Sequence, residues 1–476
     1  MSHQEERTSE AATRKPTPLP RLQLFILILI QFSEPVTALV IYPFIIQFVR
    51  DTGVTGNDET KTGYYAGLIE SVFFLAECLT VVYFGRASDK FGRRPVLLFG
   101  PIGLAIAMFG FGLSKRFWSL VVWRCFQGAF NGNIGVSKSV MAEISDSTNV
   151  AEIYSLLPFM WAIGTSVGPF IGGSLANPAK RFPDSLGKIA LLIEYPYFLP
   201  CATAGALALF AFVIGFFGLK ETLPSAVARQ RKAKTATETE PLLADSTFTA
   251  SPVDEEEAPV PPLRDLFIKP VIISLTSHAL LCFCESSYEV LMPLIYATPI
   301  DTGGLGLSPL YIGRIMAVLG LLNIFTQLFL SARVIRYLGP RTIFITAFAC
   351  MAYSFLAYSL LNFFARRAGR VDGWVVAVLV TQWATSFVIY PTFACTQIFI
   401  VNSAPSPNTL GGVNGLAQMV GSTTRSIAPS FASSMFATSI KHNLLQGNLA
   451  FFMLSAIAAY GFRSAFLLPK KLRGES

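Results

Sequence analysis

The chain has 476 residues, 52% of them hydrophobic and only 14% charged, with 37 Lys and Arg against 29 Asp and Glu for a net charge of +8. Ordinary soluble domains carry roughly a quarter charged residues, so this composition excludes one. A positive balance can serve nucleic acid, but here the cations sit in the connections between apolar runs, which excludes that class as well.

Residues 1–20 are polar and lack an apolar signal core, so no cleaved signal peptide is expected and the segment reads as a disordered cytoplasmic N-terminus. Six apolar segments follow near 22–49, 63–84, 95–114, 117–140, 153–176 and 196–219. Each is about 20 residues or longer, enough to cross a ~30 Å hydrocarbon core. Together they predict a six-helix bundle over 21–219. Residues 220–266 are Lys-rich, then Thr- and Glu-rich, then run through Asp254 to Glu257 and Pro259 to Pro262. Such a stretch cannot bury a core and predicts a disordered cytoplasmic linker. Within it Glu238, Leu242 and Leu243 have the spacing of an acidic dileucine sorting signal, with a sorting adaptor as the partner; a chance match in an acidic tail has the same form. Six further segments near 269–297, 309–332, 341–364, 373–400, 410–437 and 446–468 predict a second bundle over 267–468, followed by a cytoplasmic tail at 469–476. The predicted fold class is an all-α membrane protein with twelve transmembrane helices in two six-helix bundles.

The cations set the expected orientation. Arg14, Lys15 and Arg21, the run from Arg86 to Arg94, Lys220 to Lys234, Arg333 to Arg341, and Lys470 to Arg473 occupy alternate connections. By the positive-inside rule these connections and both termini are cytoplasmic; Lys180, Arg181, Lys188, Arg366, Arg367 and Arg370 are the exceptions. The expected location is the plasma membrane or a vacuolar membrane. All seven cysteines fall within predicted spans, and no metal site or disulfide framework is expected. There is no phosphate-binding Gly-rich loop, no HExxH and no Ser/His/Asp set, so no catalytic residue is assigned and an enzyme is not expected.

The halves echo each other. Phe32-Ser33-Glu34 with Pro43 in span 1 is answered by Phe283-Cys284-Glu285 with Pro293 in span 7, and Pro169 in span 5 by Pro429 in span 11. Gly85-Arg-Ala-Ser-Asp89-Lys-Phe-Gly92-Arg93-Arg94-Pro95 between spans 2 and 3 is answered by Arg333 to Arg341, where Gly339 stands for Gly92 and Arg336 for Asp89. Repeats of this kind suit two bundles rocking around a midplane site.

In that 85–95 run Gly85 and Gly92 are expected to permit a tight hairpin. Arg93 and Arg94 suit acids on neighbouring cytoplasmic helix ends, and Asp89 suits the positive N-terminal end of a helix. The alternative, that the cations only fix topology, leaves Asp89 and both glycines unexplained. Gly164, Gly168 and Gly172 recur every four residues and predict a smooth packing stripe on span 5, with a kink at Pro169.

Ionisable groups at membrane depth cost roughly 2.5–3.5 kcal/mol each on insertion scales and call for a partner, a cavity or a task. They are Glu34, Glu70, Glu77, Arg124, Glu285, Glu289 and Arg425. A carboxylate that gains and loses a cationic partner as bundles rock takes up and releases a proton, so all seven are proton-coupling candidates. Glu34 leads, beside a Pro35 expected to break the helix and with Glu285 as its repeat mate. Glu285 and Glu289 share a helix face, as do Glu70 and Glu77, and Arg124 is the expected partner in the first half. A static buried ion pair is the alternative reading. Tyr42, Phe159, Trp161, Tyr288, Trp383, Tyr390 and Phe393 are the expected aromatic cavity walls, with Gln127, Asn131 and Gln382 as polar contacts.

The 85–95 run resembles the loop 2–3 motif of the major facilitator superfamily. Arg124-x-x-Gln127-Gly128 is similar to that superfamily's second motif. Ser155 followed by Gly164-x-x-x-Gly168-Pro169-x-x-Gly172-Gly173 is similar to the signature of its proton-antiporting, twelve-span members. Tyr64 to Gly67, Gly128 to Gly132, Trp161 to Gly164, Leu175 to Ala179, Pro196 to Cys201 and Glu221 to Pro224 further resemble the zinc-induced facilitator-like branch and its fungal relatives. That branch's Cys-Pro-Gly-Cys element and histidine-rich character are absent, since only His3, His278 and His442 occur. The resemblance implies that Asp89 latches onto span 11 near Leu410 in the outward-open state and that the glycine face of span 5 seals the extracellular half. It also implies proton-coupled antiport or efflux of small organic molecules by alternating access. The bilayer, protons and a small-molecule substrate are then the partners, the proton gradient the only energy source with no cofactor, and the working unit a monomer. A facilitator or symporter for metal chelates, potassium or organic acids is the alternative on the same fold, and a transport-inactive receptor or sensor the alternative of another class.

Overall fold

In the computed structural model, which describes residues 20–56, 58–144, 150–223, 226–227, 267–405 and 410–469, helices occupy all twelve expected spans and no strand occurs among those residues. The first half comprises α1 (Arg21–Leu39) and α2 (Ile45–Asp51), α3 (Thr62–Phe91), α4 (Arg93–Gly112), α5 (Phe117–Asn131) and α6 (Ile134–Ile144), and α7 (Val150–Leu175). Short helices α8 (Pro178–Arg181) and α9 (Ala190–Glu194) lead to α10 (Phe198–Gly218). The second half comprises α11 (Lys269–Ala297), α12 (Pro309–Phe325) and α13 (Ser331–Leu338), and α14 (Pro340–Ala368). It continues with α15 (Gly373–Ile389) and α16 (Thr392–Ser403), α17 (Leu410–Lys441) and α18 (Leu449–Ala465). Eight of the spans are long and apolar enough, by length and composition, to cross a membrane. Leu79, Val82, Phe170, Phe217, Phe325 and Phe363 point large apolar side chains outward, as a surface solvated by lipid chains permits. The protein is an all-α membrane protein with two sets of six spans. The expected tails and most of the 220–266 linker, with Glu238, Leu242 and Leu243, lie outside the described residues.

Local chemistry decides where spans break. Pro35, expected to break the first span, lies inside α1; the break falls at 40–44, with α1 ending on Leu39. Pro43 accounts for that place, because its ring crowds the carbonyl four residues earlier and it has no N–H to donate. The hairpin expected over 85–95 is a single-residue turn. α3 continues helically through Gly85 to Phe91, Gly92 reverses the chain at φ 108°, and α4 starts at Arg93. Gly339, at φ 76°, makes the same turn between α13 and α14. α7 runs on through Pro169. The eighth span contains a π-helical turn at Thr326–Leu330 between α12 and α13.

Within the first half, α1 packs on α7 and α10, α3 on α5, and α4 on α10; in the second, α11 packs on α17 and α14 on α15 and α18. The halves meet along two helix pairs, α7 with α12 and α3 with α17. Both seams rest on small residues that let backbones approach. A Cβ on Gly173 would stand 2.8 Å from the Gly313 Cα, and one on Gly67 2.8 Å from the Pro429 carbonyl oxygen. Ser166 Oγ donates to the Ala317 carbonyl at 2.9 Å, Ser430 Oγ to that of Gly67 at 3.2 Å, and the Tyr64 and Thr438 hydroxyls share a 2.7 Å bond.

Candidate functional site

Between the halves lies a cavity of about 340 Å³. The first half contributes Leu39, Tyr42, Ile134, Lys138, Trp161, Thr165 and Pro169 to its wall. From the second half come Glu285, Tyr288, Glu289 and Met292 on α11, Met316 and Asn323 on α12, and Gln327 in the π-helical turn. Tyr390 and Phe393 flank the break in the tenth span, and Gln418 and Arg425 project from α17. The wall is mostly apolar and aromatic with a few charges, the composition of a small-molecule site.

Glu285 and Arg425 form an ion pair on this wall, Oε2 to Nη2 at 3.4 Å. The Arg425 guanidinium also stands 5.9 Å from the centre of the Phe393 ring. Glu289 is one helical turn from Glu285 and within electrostatic reach of Glu285, Arg425 and Glu70. Tyr42 joins the wall to the interior: it lines the cavity and its hydroxyl donates to Glu70 Oε2 at 3.3 Å.

Behind the wall, the first half holds two buried polar groups. Arg124 Nη2 donates to both Glu70 oxygens at 2.9 Å and to the Ala38 carbonyl at 3.2 Å, while Nη1 donates to Gln127 Oε1 at 2.7 Å. Its guanidinium lies 4.4 Å from the centre of the Phe73 ring. Arg124 and Glu70 are 1% and 2% exposed, so this pair is sealed from solvent. The second group is a bridge: Asn131 Nδ2 donates to Glu34 Oε1 at 2.9 Å and to Glu77 Oε2 at 3.1 Å. Lys138, on the cavity side of α6, lies within electrostatic reach of both carboxylates.

At the 85–95 turn, Arg93 Nη1 donates to Asp89 Oδ1 at 2.5 Å and Nε to Glu143 Oε1 at 2.9 Å. Arg94 Nη2 donates to the Phe216 carbonyl at 2.6 Å. The Glu221 carboxylate accepts the backbone N–H groups of Arg93 at 2.8 Å and Arg94 at 3.1 Å, capping α4 where the helix dipole favours an anion. A Cβ on Gly92 would lie 2.5 Å from Glu221 Oε2, whereas one on Gly85 would meet nothing within 4 Å. On α7, Gly164, Gly168 and Gly172 pack against Pro35, Val36 and Val40 of the first span, and Gly173 against α12.

Among the residues singled out from sequence, the structure brings Glu285, Glu289, Arg425, Trp161, Tyr288, Tyr390, Tyr42 and Phe393 to one cavity. Glu34, Glu70, Glu77 and Arg124 lie behind its wall, where Arg124, the partner expected in the first half, pairs with Glu70. Gln127 Oε1 accepts from Arg124, Asn131 Nδ2 donates to the two carboxylates and Gln382 Nε2 donates to the Ser354 carbonyl at 2.9 Å, while the other end of each amide is buried without a hydrogen-bond partner among the described residues. Trp383 turns its indole N–H to the Tyr296 hydroxyl at 3.4 Å. Asp89 is paired within its own half. Sequence reasoning passed over Lys138, Asn323, Gln327 and Gln418. Lys138 carried a legible signal, a second cation beside Arg124 inside the fourth predicted span; the amides did not, because amides in apolar helices also serve as lateral clamps.

The family profile for the Major Facilitator Superfamily matches residues 27–429. The "Major facilitator-type transporter psiT2" of Psilocybe cyanescens is 30% identical over 479 residues, 94% of this chain and 90% of that protein. The "Protein ZINC INDUCED FACILITATOR 1" of Arabidopsis thaliana is 28% identical over 464 residues, 95% of this chain and 92% of that protein. Among solved structures, the "D-xylose-proton symporter" superposes with a TM-score of 0.70 over 96% of this chain and all of that one, at 14% identity, a likeness of fold.

Proposed function

The chain belongs to the Major Facilitator Superfamily and is a secondary active transporter rather than an enzyme; from that premise we propose that it is a proton-coupled antiporter expelling small organic molecules by alternating access. The observation that carries this reading is the Glu285–Arg425 pair, 3.4 Å apart on the cavity wall rather than sealed behind it. A proton reaching Glu285 from the cavity discharges it and releases Arg425. Substrate leaves as the halves swing, and loss of the proton on the other side restores the pair. Glu34 and Glu77, two buried carboxylates on one Asn131 amide, are a second place where a proton relieves like-charge repulsion.

The proposed orientation puts the 85–95 turn and both termini in the cytoplasm. On that orientation the seam at Gly67, Tyr64 and Gly173 is the extracellular closure and the structure is the inward-facing state. In it Asp89 rests on Arg93, and in the outward-open state Asp89 would turn to the start of α17 at Leu410. The working unit is a monomer of two bundles, 21–219 and 267–468, joined by a cytoplasmic linker. Glu238, Leu242 and Leu243 are the proposed adaptor contact that sorts it between plasma membrane and vacuole.

Reconstituted vesicles carrying a pH-sensitive dye test the coupling. Adding a transported dye outside a proton-loaded vesicle should release protons in exchange, and Glu285→Gln should abolish that exchange while Glu34→Gln slows it. Exchange that ignores the gradient, or that survives Glu285→Gln, removes the mechanism. Dye and proton moving the same way assigns symport instead.

A further inference from the structure

The two repeats share one turn and furnish it with different charges. Counted from the reversing glycine, Arg333 matches Arg86, Arg336 matches Asp89 and Arg341 matches Arg94. The last match holds in detail. Arg94 Nη2 donates to the Phe216 carbonyl at 2.6 Å and Arg341 Nη2 to the Phe466 carbonyl at 2.8 Å. The two guanidinium groups stand 6.0 and 5.9 Å from the centres of those same rings.

The acids do not repeat. Glu221, five residues past Phe216, closes over Gly92; five residues past Phe466 the sequence has Lys471. A Cβ on Gly92 would lie 2.5 Å from Glu221 Oε2, while one on Gly339 would meet nothing within 4 Å. The space that a carboxylate fills in the first half is open in the second. Among the described residues the acids of the second half are Glu285 and Glu289 on the cavity wall and Asp301 and Asp372 at the other end of α14. Arg333, Arg336 and Arg341 accordingly make no ion pair among the described residues. Arg333 Nη1 and Arg336 Nε turn back to the Phe329 and Ala332 carbonyls of their own span at 3.1 and 3.3 Å, and both side chains are exposed. Around the arginines, Phe329, Tyr337, Leu338, Phe466 and Leu467 are exposed as well. Cations set among exposed apolar side chains, at the end of a lipid-facing bundle, fit a partner with an anionic head and apolar chains.

We propose that the turn between α13 and α14 docks the phosphate headgroup of an anionic phospholipid. The bilayer then provides at this turn the negative charge that Asp89 and Glu221 provide at the matching turn of the first half. Guanidinium forks suit phosphate oxygens geometrically as well as by charge. On the proposed orientation the turn meets the cytoplasmic leaflet, where anionic lipids attract each basic side chain.

Native mass spectrometry of the purified full chain in detergent is the test, because it counts bound lipid directly. The probe is dioctanoyl phosphatidylinositol 4-phosphate, with dioctanoyl phosphatidylcholine as the comparison without net charge. Wild type should hold the anionic lipid about tenfold or more tightly. Arg333→Gln with Arg336→Gln should weaken it by about fivefold per arginine, and Lys at both positions should keep most of the affinity. Arg86→Gln with Lys90→Gln, the same loss of charge at the matching turn, should leave it in place. Equal binding of the two lipids by wild type overturns the proposal without any variant. A preference that the Arg333 and Arg336 pair of changes leaves intact, or that the Arg86 and Lys90 pair reduces as much, overturns it too. Soluble inositol 1,4-bisphosphate displacing the lipid at equal concentration would make this a site for free phosphates instead. A variant carrying Asp254→Asn, Glu255→Gln, Glu256→Gln and Glu257→Gln that binds the lipid about tenfold tighter would give the patch to the chain's own acidic run, against the proposal.

Discussion

Arg124 is the largest side chain sealed in the first half, 1% exposed, and is tolerable there only because Glu70, Gln127, the Ala38 carbonyl and the Phe73 ring surround it. Breaking a buried pair from one side leaves an uncompensated charge, typically a loss of 3–5 kcal/mol, while replacing both members by apolar groups of similar volume is often nearly neutral. Arg124→Leu should therefore lower stability by about 3–5 kcal/mol, and Arg124→Leu with Glu70→Leu should recover most of it. Melting of the detergent-solubilised protein, followed by the height of its monodisperse gel-filtration peak, gives both values; a double variant no better than the single one sinks the account. The sequence made each intramembrane charge visible through its insertion cost but not its partner. A sequence fixes which face of a helix a residue occupies, while pairing depends on the height and rotation of packed helices. Hence Arg124 was legible as a partner in the first half but its choice of Glu70 was not, Glu34 holds an asparagine, and Glu289, which shares a helix face with Glu285, makes no ion pair among the described residues.

Helix ends and seams follow chemistry that a string of letters carries only in part. The turn at Gly92 was legible as a glycine between charged residues, yet Gly85 has no share in it. Seven residues on, φ becomes 108° at Gly92 and Glu221 closes over it, while Gly85 stays helical with open space around it. The two glycines should separate cleanly on substitution. Gly85→Ala gains about 1 kcal/mol of helix propensity and should leave transport intact. Gly92→Ala puts a Cβ at a φ that costs about 1–3 kcal/mol and against the carboxylate that caps α4. It should lower the melting temperature and slow transport. Equal effects of the two would return both glycines to one hairpin. The α7 stripe was likewise legible as small residues four apart, but its two partners were not: three glycines face the first span within their own half, and Gly173, one residue further round the helix, faces α12 across the seam. Neither Pro169 nor Pro35 interrupts its helix, while Pro43 stands in the break at 40–44.

The twelve spans and their division into sixes were legible because a bilayer imposes its thickness on hydropathy, and any span must satisfy its backbone internally. Which way the halves lean was not, since one sequence must encode both leanings. The seams therefore carry the remaining test. α3 and α17 cross between the halves, and on them the native Cys78 Sγ lies 3.9 Å from the Thr423 hydroxyl. Thr423→Cys would set two thiols within reach of the short Cβ separation that a disulfide requires. Alternating access changes the angle between these helices in every cycle, whereas a channel-like passage through a fixed pore does not. Mild oxidation of Thr423→Cys should therefore link the halves, seen as fragments that migrate together after cleavage at a protease site placed near residue 240. The same oxidation should arrest exchange in vesicles, and dithiothreitol should restore it; wild type, with Cys78 alone at this seam, should be indifferent to oxidation. Linked halves that go on exchanging at full rate would mean that α3 and α17 never part here, and the rocking of one bundle against the other would have to be given up.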